Sequence, residues 1–165
     1  AGPLLAAAGA RAGRVRGYVF VDAGLPTPGR NWLQTAPPEL AAQLRGMAGA
    51  HGRLPPWPQW WGEEVMAELV PDPDMRRQFV AGCPRLPLAM FGEVHPPAPG
   101  WPDAPGAYLQ LSPAYREEAD RARNLGWPVA ELPGHHLTLL TDPAAVVQAL
   151  RAELASLGRP DAADG

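Results

Sequence analysis

Two short runs, at residues 17–22 and 107–111, constrain the fold of this chain more than any other feature of the sequence. The first run, GYVFVD, is apolar and rich in β-branched and aromatic residues, yet it lacks the alternation of a half-exposed strand. A strand that is buried on both faces of a parallel sheet has this pattern. We therefore predict that residues 17–22 form a buried parallel strand and that residues 107–111 form a second strand.

Helical patterns surround these strands. A short helix is predicted from Pro3 to Ala12, and another follows Ser112 as far as about Leu125. A third strand at residues 128–132 precedes a final helix that begins at Pro143. The stripes expected to face the core are Tyr115, Ala119, Ala122 and Leu125 in one helix, and Val146, Val147, Leu150, Leu154 and Leu157 in the last. This order predicts an α/β fold with a mostly parallel sheet.

Residues 27–106 differ from the rest of the chain. They hold most of the 22 prolines and five of the six tryptophans, with three short helical patterns between them. Such a stretch between two core strands is typical of an inserted cap. We predict a core made of residues 1–26 and 107–165 and a cap at 27–106. Four of its tryptophans are expected to line an apolar substrate pocket or to hold the short helices together: Trp32, Trp57, Trp60 and Trp61.

The composition excludes several classes of function. The sequence has 14 arginines, no lysine and 17 acidic residues. No stretch concentrates charges of one sign, which argues against a nucleic-acid-binding surface. No apolar run approaches the ~20 residues that a membrane span needs. Cys83 is the single cysteine, so an internal disulfide is ruled out. We predict that its thiol has a structural role and is not a nucleophile. We expect a cytoplasmic protein.

The sharpest local motif is LPGHHLTLLTDP at residues 132–143, between the third strand and the last helix. A histidine just past the carboxyl end of a buried strand lies where α/β sheets bind their ligands, and it can act as a general base. The alternative is a pair of surface histidines, His135 and His136, in a turn. No further ligands stand at metal-site spacing, so no metal is predicted.

The motif and the order of the elements resemble the α/β-hydrolase superfamily, and the chain looks similar to the C-terminal half of small actinobacterial members. Residues 18–26 resemble the sixth strand of that fold with its exit turn, residues 107–112 the seventh, and residues 126–129 the approach to the eighth. The resemblance implies that His136 is the catalytic histidine. His135 stands where the superfamily usually has glycine.

The same resemblance places the nucleophile outside the sequence. In the superfamily a Gly-x-Ser-x-Gly turn precedes the helix that we place at Pro3, and Ala1-Gly2 fits the last two residues of that turn. We therefore expect a fragment that lacks its serine. The two serines present do not match the motif: Ser112 is predicted to cap a helix, and Ser156 lies within the last helix.

The acid that orients His136 has two candidates. Many relatives carry it after the seventh strand, but the turn at residues 112–115 has no carboxylate. Some relatives use the end of the sixth strand, where this chain has Asp22. Asp22 is the first choice, and Glu93 is the second.

These residues imply a cofactor-free, serine-type hydrolase of an apolar ester, lactone or thioester, with the activity belonging to the intact parent protein. The alternative is a non-catalytic binder of an apolar small molecule, or an assembly partner, on the same fold. Lyase or isomerase chemistry on this scaffold also stays open. Because one edge of the predicted sheet is uncovered, a homo-oligomer is possible.

Overall fold

The computed structural model of the chain describes residues 2–157, and the side chains of residues 2–153. Its parallel strands are β1 (Tyr18–Val21), β2 (Gly106–Gln110) and β3 (Val129–Glu131). The helices are α1 (Leu5–Ala12), α2 (Trp32–Thr35), α3 (Pro38–Met47), α4 (Glu63–Leu69), α5 (Pro73–Gly82), α6 (Ala89–Gly92), α7 (Arg116–Asn124), α8 (Thr138–Thr141) and α9 (Pro143–Leu157). Short 3₁₀ turns occur at Gly2–Leu4, Trp57–Trp60 and Pro113–Tyr115.

The chain divides into two compact units. The sheet unit consists of Ala1–Pro28 and His95–Gly165, and the helical unit consists of Gly29–Val94. Residues 27–28 and 95–106 fall within the predicted cap, but the structure groups them with the sheet unit. The cause is Trp101, whose ring packs edge-on against Tyr18 with centroids 4.7 Å apart and also contacts Trp127.

The sheet has the order β1-β2-β3, and both pairings are parallel. The predicted parallel α/β sheet is thus confirmed. In the register, Val21 lies opposite Leu109, so the residue after β1 stands beside the carboxyl end of β2. The ladder continues one step further, because the amide of Asp22 donates to the carbonyl of Leu109 at 2.8 Å.

Strand β2 is buried along its whole length because helices cover both faces of the sheet. On one face, Phe20 and Tyr108 pack with Ala119 and Ala122 of α7. On the other, a second cluster joins Leu109 and Leu111 to Val146 of α9. Two covered faces explain why the strand runs in the sequence show no alternation.

The apolar stripes of the helices are narrower than predicted. Leu125 is 42% exposed and Val147 is 46% exposed, so both predictions of a core position are wrong. Leu125 follows the last residue of α7 and precedes Gly126, which has a positive φ. Val147 points about 100° around the axis of α9 from the buried Val146, which turns it toward solvent. The side chains of Leu154 and Leu157 lie outside the described residues.

The helical unit has its own small core, formed by Leu44, Ala48 and Leu54. Half-buried aromatic residues, among them Trp32 and Phe91, pack around these side chains. Within residues 2–157, no helix combines the length and the apolar character that a bilayer span requires.

Candidate active site

Asp22 directly follows β1 and is fully buried. Its φ of 44° lies in the left-handed region, and within the described residues no other residue besides glycines has a positive φ. A residue with a side chain adopts this conformation rarely and at a cost in energy, and such positions cluster at functional sites. The backbone at Asp22 is therefore held in place by its surroundings.

Four groups surround the Asp22 carboxylate. Its Oδ1 accepts hydrogen bonds from the backbone amides of Leu111 at 3.0 Å and Ser112 at 2.9 Å. Its Oδ2 accepts one from the Ser112 hydroxyl at 2.8 Å and lies 2.9 Å from Nδ1 of His136. Burial alone would raise the pKa of Asp22, but the hydrogen bonds from His136, Leu111 and Ser112 outweigh it, so the pKa lies below its ordinary value.

Tyr108, in the middle of β2, holds the turn that carries Asp22. Its hydroxyl donates to the carbonyl of Ala23 at 2.9 Å and accepts from the amide of the same residue at 3.1 Å. Both backbone groups of Ala23 are thereby satisfied by one side chain. Burial raises the pKa of Tyr108, so the hydroxyl keeps its proton and can donate and accept at once.

His136 lies in the loop between β3 and α8. The turn that contains it is tight, because the amide of His135 donates to Oγ1 of Thr138 at 3.0 Å and the amide of Thr138 donates to the carbonyl of His135 at 2.8 Å. The side chain of His136 is 42% exposed, while its partner Asp22 is 0% exposed. One edge of the imidazole therefore meets a buried carboxylate, and part of the ring remains accessible.

The contact with Asp22 determines which imidazole nitrogen carries the proton. A carboxylate can only accept, so neutral His136 donates from Nδ1. Its Nε2 then keeps a lone pair that can accept a proton from a substrate or a nucleophile. This is the orientation in which a histidine acts as a general base.

The structure also shows two contacts that the sequence did not predict. Ser112 was expected to cap the helix that follows, but its side chain makes no capping hydrogen bond and donates to Asp22 instead. The ring of Tyr115 stacks on the imidazole of His136, with centroids 5.4 Å apart and an interplanar angle of 21°. The register between β1 and β2 sets Asp22 beside Ser112, and the loop after β3 brings His136 to Tyr115, and the linear sequence reveals neither.

Glu93, the second candidate for the acid, is an exposed residue that follows α6 in the helical unit. It has a different environment from Asp22, which is buried and bound to His136. Of the two carboxylates, the structure pairs Asp22 with the histidine.

The four tryptophans of the predicted substrate pocket all lie in the helical unit. Trp32 and Trp60 pack edge-on against Phe91, and Trp57 packs against Trp61, with all of these ring centroids 5.2 to 6.3 Å apart. Trp60 also donates from its indole nitrogen to the carbonyl of Pro55 at 2.8 Å. These contacts hold the short helices of the unit together, and Trp61 remains 41% exposed.

Each unit contains an open cleft. The cleft of the helical unit has a volume of about 790 Å³, and its walls include Met66, Val80 and Arg77. A smaller cleft of about 230 Å³ in the sheet unit is lined by residues that include Ser112 and Gly134. The four tryptophans are not among the residues that line either cleft. Among the side chains that the structure describes, no group of three or more histidine, cysteine or acidic residues is arranged to hold a metal ion.

The hydrogen bonds to Asp22 predict how folding stability depends on pH. Because the pKa of Asp22 is lowered in the folded state, its contribution to stability is complete above the unfolded pKa and is lost as pH falls through the folded value. The free energy of unfolding of the wild type should therefore exceed that of Asp22→Asn at neutral pH. The difference should shrink as pH falls below about 4. Urea unfolding of both chains across this range measures it, and a difference that grows at low pH would contradict the assignment.

Comparisons with known proteins agree with this architecture. No family model and no curated protein matches the sequence. Among solved structures, the chain is similar to an extracellular α/β-hydrolase from a Paenibacillus species, reported to share structural and functional homology with tobacco salicylic acid binding protein 2. The TM-score is 0.69 at 16% sequence identity, over 90% of this chain and 66% of that one. The chain therefore has the fold of part of an α/β-hydrolase, as predicted, and spans 66% of that structure's length.

Proposed function

We propose that this chain supplies the general base and the acid of a serine-type hydrolase, and that the nucleophile is a serine which this sequence does not contain. The observation that carries the proposal is the 2.9 Å contact between Nδ1 of His136 and Oδ2 of the buried Asp22. Both residues follow the carboxyl ends of parallel strands, where α/β sheets bind their substrates. The α/β-hydrolase fold supports the reading, since this fold carries serine, acid and histidine at such strand ends.

The proposed chemistry proceeds in two steps. First, Nε2 of His136 takes the proton of the serine hydroxyl as its oxygen attacks the carbonyl carbon, and the imidazolium then gives that proton to the leaving alcohol or thiol. Second, Nε2 takes a proton from water as the water oxygen attacks the acyl carbon; the bond from that carbon to the serine oxygen breaks, and the imidazolium returns the proton to the serine as the carboxylic acid leaves. Asp22 stays ionised throughout and stabilises the imidazolium. No cofactor or metal takes part.

For the substrate we propose an apolar ester, lactone or thioester. The support is the aromatic content of the helical unit, where Trp61 is 41% exposed and has ring surface free to contact a ligand. The other three tryptophans, Trp32, Trp57 and Trp60, are half-buried by their packing. We propose that these three rings shape the helical unit, and that Trp61 offers apolar ring surface to a ligand of that unit.

Labelling with a fluorophosphonate tests the proposal, because this reagent forms a covalent bond with an activated serine. The experiment uses the full-length gene product. We expect labelling in the wild type and its loss in His136→Ala, with His135→Ala as the matched control that keeps it. A protein that binds apolar ligands but is not labelled would instead favour the non-catalytic binder on the same fold.

A further inference from the structure

A single turn after β2 touches both members of the Asp22–His136 pair. Ser112 ends the strand region, and the 3₁₀ turn Pro113–Tyr115 follows it. Ser112 bonds the carboxylate of Asp22, and Tyr115 stacks on the imidazole of His136. These two contacts come from residues only three positions apart, so a short rigid segment reaches both groups.

Ser112 fixes the carboxylate from two sides. Its amide donates to Oδ1 and its hydroxyl donates to Oδ2, at 2.9 and 2.8 Å, so one residue binds both oxygens of Asp22. Rotation about the bond that carries the carboxylate would break at least one of these hydrogen bonds. Since Ser112 is 7% exposed, water has little access to replace them. The oxygen that faces His136 is therefore held in a defined direction.

Tyr115 fixes the imidazole. The hydrogen bond from Nδ1 to Asp22 holds one edge of the His136 ring, and a contact on the face of the ring limits its rotation about the terminal torsion further. The aromatic ring lies nearly parallel to the imidazole, at 21° and 5.4 Å, and covers one of its faces. Burial raises the pKa of Tyr115, with the charges of Asp22 and Glu118 adding to the effect, so the stacked ring is neutral at ordinary pH.

We propose that the turn Ser112–Tyr115 positions both halves of the pair: Ser112 holds the Asp22 carboxylate, and Tyr115 holds the plane of the His136 imidazole. The consequence for catalysis rests on the proposed hydrolase function, but the positioning itself is a property of this chain. Ser112 and Tyr115 are positioning residues, because they act on a substrate only through His136 and Asp22. The turn contains no carboxylate of its own, and its role is to position the carboxylate and the imidazole of the acid–base pair.

Nitrogen NMR of the ¹⁵N-labelled chain tests the role of Tyr115, because it reports which imidazole nitrogen of neutral His136 carries the proton. In Tyr115→Phe the ring remains, and the tautomer ratio should equal that of the wild type. In Tyr115→Met and Tyr115→Leu the planar ring is lost, while much of the apolar volume is kept. We expect the ratio of the Nδ1-protonated to the Nε2-protonated form to fall roughly 5-fold in both.

The role of Ser112 is tested by the carboxyl ¹³C resonance of Asp22. Without the hydroxyl in Ser112→Ala, the ionised carboxylate loses a donor, so its titration should move to higher pH than in the wild type. Ser112→Thr keeps a hydroxyl and should titrate close to the wild type. The free energy of unfolding of every variant is measured in parallel, so that a loss of stability is not mistaken for a loss of positioning.

Two results would overturn the inference. One is a wild-type tautomer ratio in Tyr115→Met or Tyr115→Leu, even when stability falls, because the ring would then only fill space. The other is an unchanged titration of Asp22 in Ser112→Ala. Neither readout requires a nucleophile. A failure of fluorophosphonate labelling would reject the hydrolase function, whereas the positioning role is decided by the NMR spectra alone.

Discussion

Asp22→Asn is expected to lower kcat about 10,000-fold in the protein that carries the nucleophile, with little change in KM. An asparagine presents an amide group to Nδ1 of His136 and can donate to it, which moves the imidazole proton to Nε2. The nitrogen that should accept the proton of the serine is then blocked, and the buried negative charge that stabilises the imidazolium is gone. Steady-state hydrolysis of a chromogenic ester gives both constants.

Two further variants make this prediction specific. Asp120→Asn is the matched control, because Asp120 is an exposed carboxylate on α7 that pairs with Arg123. It should keep the wild-type kcat. Glu93→Gln distinguishes the two candidate acids and should also retain activity if Asp22 is the acid. Full activity in Asp22→Asn, or a loss of activity in Glu93→Gln, would show that Asp22 is not the acid that orients His136.

Leu109→Ala is expected to lower the free energy of unfolding by about 2–5 kcal/mol. Leu109 is 0% exposed in the central strand and packs with Leu111 and Val146, so the smaller side chain leaves a cavity between the sheet and α9. Denaturant unfolding, followed by a signal from the sheet unit such as Trp127 fluorescence, measures the loss.

Val147→Ala is the control for that experiment. Val147 neighbours Val146 on α9 but is 46% exposed, so removing its methyl groups should change stability by no more than about 0.5 kcal/mol. Equal losses in Leu109→Ala and Val147→Ala would mean that α9 meets the sheet through a face that includes Val147.

The sheet could be predicted from the sequence because its strands are short apolar runs with clear ends. Burial on both faces removes the alternation of apolar and polar residues from residues 18–21 and 106–110. An apolar run without alternation is therefore itself a sign of a buried strand. Pro143 and Gly13 mark the start of α9 and the end of α1 as predicted, but the helices expected from Pro3 and Pro113 each begin with a 3₁₀ turn. Leu125 and Val147 were misplaced because helical spacing gives the direction of a side chain but not how far the core extends.

The site was predictable only in part, for a physical reason. A histidine after the third strand stands out in the sequence, while the choice of His136 and of Asp22 came from the resemblance to the α/β-hydrolase superfamily. Ser112 and Tyr115 look like an ordinary helix start, and their contacts depend on the register between β1 and β2 and on the loop after β3. Contacts between residues far apart in the chain arise from packing, which spacing along one sequence does not encode.

The measurement that tests the central claim most directly is long-range ¹H–¹⁵N NMR of the wild-type chain at a pH where the imidazole of His136 is neutral. If Asp22 and His136 form the acid–base pair, the proton resides on Nδ1 and Nε2 shows the resonance of an unprotonated nitrogen. A proton on Nε2, or an equal mixture of the two forms, would contradict the account, because His136 would then have no defined lone pair with which to activate a nucleophile.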